Sequence, residues 1–293
     1  MKILLTGGSG FIGRNVRESW LAEKHEIVAP SHRELELADE DAVMAFLKAG
    51  HFDAVVHSAT KPGHRNSKDS SNLFYSNSRM FFNLARCHEY FGRMLIVGSG
   101  AIYDMRHYLP KMKEEYFGTH VPADEHGFCK YVCGRYIERS EKITDLRVFG
   151  IFGKYEDYAI RFISNVACKA VFDLPITIKQ NRRFDYIWVD DFLPVLEHFL
   201  ISEHRHNAYN ITPPASVELL ELAEMVREIS GKKLDIVVKE PGMGLEYSGD
   251  NSRLMSEMPG LTFTPLRKSV EALYRWYYDN RASLDRGLLL QDK

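Results

Sequence analysis

An apolar strand at the start of the chain runs directly into glycines: K-I-L-L-T-G-G-S-G-F-I-G at residues 2–13. Gly7, Gly10 and Gly13 are spaced three apart, and an amphipathic segment follows. This stretch limits the possible folds more than any other. Gly7 permits a tight turn, Gly10 lets the backbone approach a pyrophosphate, and Gly13 lets the next helix pack closely on the strand. The N-terminal amides of that helix then face the phosphates. Three glycines alone are a weak signal, because any strand–turn–helix can use them. Their position between a first strand and a first helix is what points to a dinucleotide site.

A chain of 293 residues with 45% hydrophobic content can bury the core of one large domain or two moderate ones. The net charge of −2 provides no basic field for nucleic acid or an anionic membrane. No apolar run reaches the roughly 20 residues that cross a bilayer. The core strand begins at Lys2, which leaves no room for a signal peptide, so a cytoplasmic protein is expected. Cys87, Cys129, Cys133 and Cys168 form no C-x-x-C pair. Reduced packing thiols are expected, with no metal site.

The first half alternates strand and helix. Strands are expected at residues 2–6, 25–29, 54–58, 93–98 and 145–149, and helices at 12–23, 40–50, 73–89 and 128–143. Short apolar strands separated by amphipathic helices imply a parallel sheet with right-handed crossovers. Residues 61–72 read as a long loop above the sheet, and 105–124 as a second irregular stretch. In the less regular second half, 153–170 reads as a helix and 184–189 as a strand. Residues 190–202 read as a helix capped by Asp190 or Asp191, and 217–229 as a helix ending at Gly231. A strand at 234–238 and an aromatic helix at 270–280 close the chain. The expected architecture is α/β. A Rossmann-type doubly wound parallel sheet (1–150 with 184–211) carries a smaller mixed α/β substrate lobe (151–183 with 212–293).

Several motifs follow in a fixed order. H-S-A stands at 57–59, Y-S-N at 75–77 and V-G-S-G-A-I-Y at 97–103. H-G-F-C-K stands at 126–130, L-R-V-F-G-I-F-G at 146–153, F-D-Y-I-W-V-D-D at 184–191 and D-N-S-R-L at 250–254. With the N-terminal glycines, this series resembles the extended short-chain dehydrogenase/reductases, the NAD-dependent epimerase/dehydratase family, over nearly the whole chain. Residues 31–43 and 274–287 are most similar to its GDP-fucose synthase branch of sugar-nucleotide reductases and epimerases. The resemblance implies a nicotinamide cofactor held by Gly7, Gly10, Phe11, Ile12, Gly13, Ser58, Ala59 and Lys130. It also implies a nucleotide-sugar substrate and a homodimer formed by the helices at 73–89 and 128–143.

Family chemistry uses a Ser or Thr hydroxyl to bind the substrate oxygen and a Tyr to move the proton. A Lys one helical turn after the Tyr lowers its pKa and holds the nicotinamide ribose. By position these are Ser99, His126 and Lys130, so the tyrosine is replaced. Ser99 also reads as a strand-end cap and Lys130 as a solvated helix face. Tyr131 points elsewhere on the helix. Free Tyr titrates near ~10 and His near ~6.5, and a neighbouring Lys⁺ lowers both, which leaves the imidazole largely neutral at pH 7. Three readings stay open: an active enzyme that uses His126, a weak or inactive NAD(P)-binding protein, and a substituted version of an ordinary tyrosine enzyme. His57, at the end of a buried strand, reads as structural.

Other departures narrow the reaction. The Asp-Glu pair of family dehydratases is Gly100-Ala101 here. The epimerising cysteine of fucose synthases corresponds to Ala101, and the matching region near 154–161 contains no histidine. Hydride transfer alone remains, as 4-keto reduction or as 4-epimerisation through a transient ketone. After the second strand, Ser31, His32 and Arg33 precede the first acid, Glu34, which favours NADP over NAD, with Arg14 in reach. Substrate phosphates need cations, for which Arg161, Lys179, Arg182, Arg183 and Arg253 are candidates. The arginine that relatives place before Asp-Tyr-Ile is Phe184 here, with Arg183 one residue away, so Arg182 is the alternative on the same face.

Overall fold

The computed structural model describes residues 1–63, 69 and 71–290. Of the loop expected at 61–72, residues 64–68 and 70 lie outside the described residues. β1 (Lys2–Thr6), α1 (Phe11–Arg17), α2 (Leu21–Lys24), β2 (Glu26–Val28), α3 (Glu40–Gly50), β3 (Phe52–His57), α4 (Leu73–Arg86), β4 (Phe91–Ser99), α5 (Glu125–Ile137) and β5 (Ile143–Val148) follow in order. β10 (Ala208–Ile211) returns later to the same sheet. All six strands are parallel, in the order β10-β5-β4-β3-β1-β2. Both faces are covered, so Ile3, Leu4, Leu5, Ala54, Val55, Val56 and Leu95 are at most 1% exposed. Thr6 pairs with His57 and His57 with Ile96, so Ser99 extends three residues beyond that row at the carboxyl edge of the sheet. Ligands of open α/β sheets bind at this edge.

The remaining elements lie in the second half of the chain. They are β6 (Gly150–Phe152), α6 (Phe162–Val171), β7 (Ile176–Asn181), β8 (Arg183–Phe184), β9 (Tyr186–Trp188), α7 (Val189–Ile201), β11 (Val217–Glu218), α8 (Leu219–Ser230), β12 (Ile236–Met243), α9 (Ser252–Glu257), α10 (Leu266–Asp279) and α11 (Arg286–Leu289). Three two-stranded ribbons, β8–β11, β7–β12 and β6–β9, replace a continuous sheet. α6, α8 and α10 pack around Val166, Leu222, Val226, Val270 and Leu273, all at most 1% exposed. α7 instead packs on the large sheet through Phe192, Leu196 and Phe199. No helix among the described residues is long and apolar enough to cross a membrane.

Several sequence expectations need correction. The helix expected at 12–23 breaks into α1 and α2. The Ser19 hydroxyl donates to Val16 O and accepts from Leu21 N, ending one helix and starting the next. The helix expected at 73–89 closes at Arg86, and His88–Tyr90 forms a 3₁₀ turn. The helix expected at 128–143 starts earlier and stops at Ile137. The Asn207 amide, distant in sequence, donates to Ile137 O and Ser140 O, which frees Ile143 to begin β5. The expected helix at 153–170 starts only at Phe162, because Tyr155 takes a left-handed φ of 71° and the Asp157 carboxylate accepts from Ala159 N in a local turn. The strand expected at 184–189 splits at the fully buried Asp185. α7 begins at Val189 without a side-chain cap, since Asp190 accepts from the Trp188 indole and Asp191 from Thr264. Residues 217–218 join a ribbon before α8, which closes at Gly231 with φ 65°. The final strand runs 236–243 and the aromatic helix 266–279. β6, β7 and β10 were not expected.

Candidate active site

The glycine turn leads from β1 into α1. Gly7 has φ +74°, and a Cβ there would stand 2.7 Å from Ala59 N, where the chain leaves β3. A Cβ on Gly13 would collide with Gly7 O and lie 2.6 Å from Gly8 Cα, so α1 can approach the turn this closely only with glycine. Gly10 N donates to Gly7 O at 2.9 Å and closes the turn. Phe11 and Ile12 form the half-buried first turn of α1. Ser58 donates to Thr6 O at 2.7 Å and Ala59 N to Thr6 Oγ1 at 3.3 Å, which ties the ends of β1 and β3 together.

Beyond β2, Ser31, His32 and Arg33 are exposed. Ser31 N donates to the Glu34 carboxylate at 2.7 Å, which holds that carboxyl below its ordinary range, and His32 lies 3.0 Å from Glu36. Arg33 has no ion-pair partner among the described residues. The Arg14 guanidinium stacks 3.7 Å from the centre of the Tyr155 ring.

Ser99 ends β4, and its Oγ accepts from Ala101 N at 3.2 Å, so the strand-end cap is present. Asp124 caps α5 by accepting from Gly127 N at 2.8 Å. A Cβ on Gly127 would stand 2.6 Å from Ala101 O, so the first turn of α5 lies directly against the turn after Ser99. His126 and Lys130 follow on α5. Along with His57, Asn77, Cys129 and Cys133, they line one cleft. Burial lowers the His126 pKa most, the Lys130 charge lowers it further, Asp124 opposes this, and Arg161 adds to the lowering. His126 is therefore neutral at pH 7. His57 pairs with Thr6 Oγ1 at 2.8 Å, and burial with the Lys130 charge pushes its pKa down to about 3. The Lys130 ammonium is half-buried and has no hydrogen-bond or ion-pair partner among the described residues. Such a charge is held ready for a ligand oxygen.

The four arginines expected to meet substrate are in different places. Arg161 immediately precedes α6, exposed and without an ion-pair partner among the described residues, and its charge reaches both His126 and Tyr247. Arg182 lies beside Gly244. Arg183 pairs with Glu218 at 3.2 Å. Arg253 donates to Ala208 O at 3.0 Å and pairs with Glu115 at 2.5 Å, as a strut across the back of β10. Lys179 stands 3.7 Å from Glu240 on the outer ribbon. Tyr131 rests on Phe117, with ring centres 5.3 Å apart.

The sequence did not single out Tyr247. It lies in the irregular segment after β12, with no periodicity or motif to mark it. Tyr247 N donates to Arg183 O at 2.9 Å and Asp185 N donates to Tyr247 O at 3.2 Å. The ring packs against Tyr108, Phe149 and Phe184, and the phenol oxygen lies so near Gly100, the residue after Ser99, that a Cβ there would stand 2.6 Å from it. Burial holds its pKa well above the ordinary phenol value, and Ser99 and Arg161 draw it partly back. Among the described residues no group of His, Cys, Asp and Glu could hold a metal ion.

Comparison with known proteins agrees with this geometry. The GDP-L-colitose synthase of Yersinia pseudotuberculosis is 30% identical over 107 residues, a stretch that covers 35% of this chain and 35% of that protein. The chain thus spans about a third of that relative's length. The crystal structure of a GDP-L-fucose synthetase from Naegleria fowleri superposes with a TM-score of 0.83 at 15% identity, over 97% of this chain and 95% of that one. A GDP-mannoheptose C4 reductase from Campylobacter jejuni with NADP bound gives 0.80 at 19% identity, over 94% and 98%. The sequence profile of the NAD dependent epimerase/dehydratase family matches residues 3–212. With that match over most of its length and the glycine turn after β1, the chain belongs to the NAD dependent epimerase/dehydratase family.

Proposed function

We propose that this protein is a nicotinamide-dependent reductase of a nucleotide-activated 4-keto sugar, with NADPH as reductant. The observation that carries the reading is the unpaired, half-buried Lys130 one turn after His126, in a cavity it shares with His57 and with Ala59, which lies against Gly7 of the glycine turn. The residues fit the cofactor. The Gly7–Gly13 turn leaves backbone amides open to a pyrophosphate, Ser58 and Ala59 flank it, Lys130 faces the ribose, and the unpaired Arg33 with Ser31 and His32 meets a 2′-phosphate. Bound dihydronicotinamide supplies a hydride. Ser99 holds the keto oxygen, and neutral His126 occupies the family's proton-relay position. Arg161 is the cation best placed for the substrate's diphosphate. Residues 1–150 with 184–211 hold the cofactor, and 151–183 with 212–293 hold the sugar nucleotide. Exposed Tyr75, Phe128 and Tyr136 on α4 and α5 support a homodimer through those helices.

Fluorescence titration with NADPH and NADH, followed by single turnovers on GDP- and UDP-linked 4-keto sugars, tests the reading. The expected result is tighter binding of NADPH and measurable hydride transfer. Replacement of Lys130 by Met should weaken NADPH binding and slow transfer by about 10²-fold. A second reading, a binding protein without turnover, is favoured by the neutral His126. NADPH binding without transfer to any of these ketones would establish it.

A further inference from the structure

A keto reductase needs a proton donor at the oxygen that becomes an alcohol. The α5 position that carries this donor in the resembling family holds a histidine that burial and two cations keep neutral. A phenol nevertheless stands beside the turn that follows Ser99. A Cβ placed on Gly100, the residue after Ser99, would stand 2.6 Å from Tyr247 Oη, so the absence of a side chain at Gly100 is what admits the phenol oxygen beside Ser99.

The neighbouring phenols are not placed beside Gly100. Tyr103 donates to Asn210 at 2.8 Å and accepts from Arg147 at 2.9 Å, deep in the core. The Tyr108 hydroxyl is buried without a partner, and Tyr131 lies on Phe117. Tyr247 is also rigid. Its backbone bonds to the residues on either side of Phe184, and its ring is packed by Tyr108, Phe149 and Phe184 at 5.1, 5.2 and 5.7 Å.

We infer, on the reductase reading above, that Tyr247 is the acid of this site and delivers its phenolic proton to the carbonyl oxygen held by Ser99. The ketone carbon accepts the hydride from dihydronicotinamide, and the carbonyl π pair moves onto oxygen. The Tyr247 O–H bond breaks as the sugar O–H bond forms. The ketone is reduced, the nicotinamide is oxidised, and the phenolate regains a proton from solvent. The Arg161 charge stabilises the phenolate in the interval, the part that a lysine plays for the family's tyrosine. The phenol stays protonated at neutral pH, as an acid must, and an alkoxide is basic enough to take its proton.

The test compares wild type with Tyr247→Phe, Gly100→Ala and, as a control for a nearby phenol, Tyr108→Phe. On a GDP-linked 4-keto sugar, Tyr247→Phe should lower kcat by about 10²-fold or more with KM nearly unchanged. Gly100→Ala, which displaces the phenol, should follow it. Tyr108→Phe should match wild type, and all four proteins should bind NADPH alike. Independently of turnover, the ¹³Cζ-tyrosine resonance missing from Tyr247→Phe should shift when the sugar nucleotide is added. Wild-type rates in Tyr247→Phe, or a resonance that does not move, would overturn the assignment and leave the reductase reading intact. A wild type that reduces no ketone would remove that reading and this one together.

Discussion

The two sides of the cleft are built on opposite principles. On the cofactor side the backbone is bare and the cations are unspent. Gly7 and Gly13 leave a turn without side chains, and Lys130 and Arg33 have no ion-pair partners among the described residues. On the lobe side a buried carboxylate gathers several donors. Asp185, fully buried, accepts from Thr212 at 2.7 Å, Gly249 N at 2.8 Å and Lys111 at 3.1 Å, and its own N donates to Tyr247 O at 3.2 Å. One side is organised to receive an anion and the other to hold a phenol still. A site that moves hydride and proton together needs both, because the cofactor comes and goes while the acid must stay in register with Ser99.

The contrast predicts where damage is structural and where it is functional. The largest effect should come from Asp185→Ala. It strands the Thr212 hydroxyl, Gly249 N and the Lys111 ammonium around a buried hole, and urea unfolding should show a loss of about 3 kcal/mol or more. A loss confined to ligand binding would show that the lobe side is softer than its hydrogen bonds indicate. Next comes Gly13→Ala. The added methyl meets Gly7 O, so NADPH binding should fall by roughly 10²-fold while most of the stability remains. Unchanged binding would break the idea that α1 must sit that close.

The smallest effect is a pH dependence. His57 is neutral in the fold, with its pKa near 3, whereas an unfolded histidine protonates near ~6.5. The unfolded chain therefore gains a proton first as pH falls. The contribution of this site is intact above about pH 6.5 and declines between there and about pH 3. Substitution by Gln should lower stability at neutral pH by about 1 kcal/mol through the altered Thr6 contact and flatten the acid limb. An equally steep limb in the variant would assign acid sensitivity elsewhere.

How far the chain was legible follows the same division. The strand cores at 2–6 and 54–57, the helix at 40–50 and the glycine turn all rest on contacts between near neighbours and on apolar runs that a sheet covered on both faces requires. They could be read directly. The errors cluster where a distant residue decides. Asn207 ends α5, Thr264 takes up Asp191, and Asp185 divides a six-residue strand into two ribbons with different partners. The substrate cations show the same limit. A sequence marks five basic residues equally, but only folding pairs Arg183 with Glu218 and Arg253 with Glu115 while leaving Arg161 free of an ion pair near His126.

The order of the elements, the parallel sheet, the dinucleotide turn and the exchange of tyrosine for histidine at position 126 were all fixed by the amino-acid sequence, because each depends on local backbone geometry or on the identity of one side chain. The meeting of Tyr247 with Gly100, the residue after Ser99, belongs to the tertiary structure alone. The two residues are separated by more than half the described chain, and no local pattern encodes that contact. It exists because the buried Asp185 pins the backbone of the lobe against the sheet and because Gly100 leaves space for the phenol oxygen.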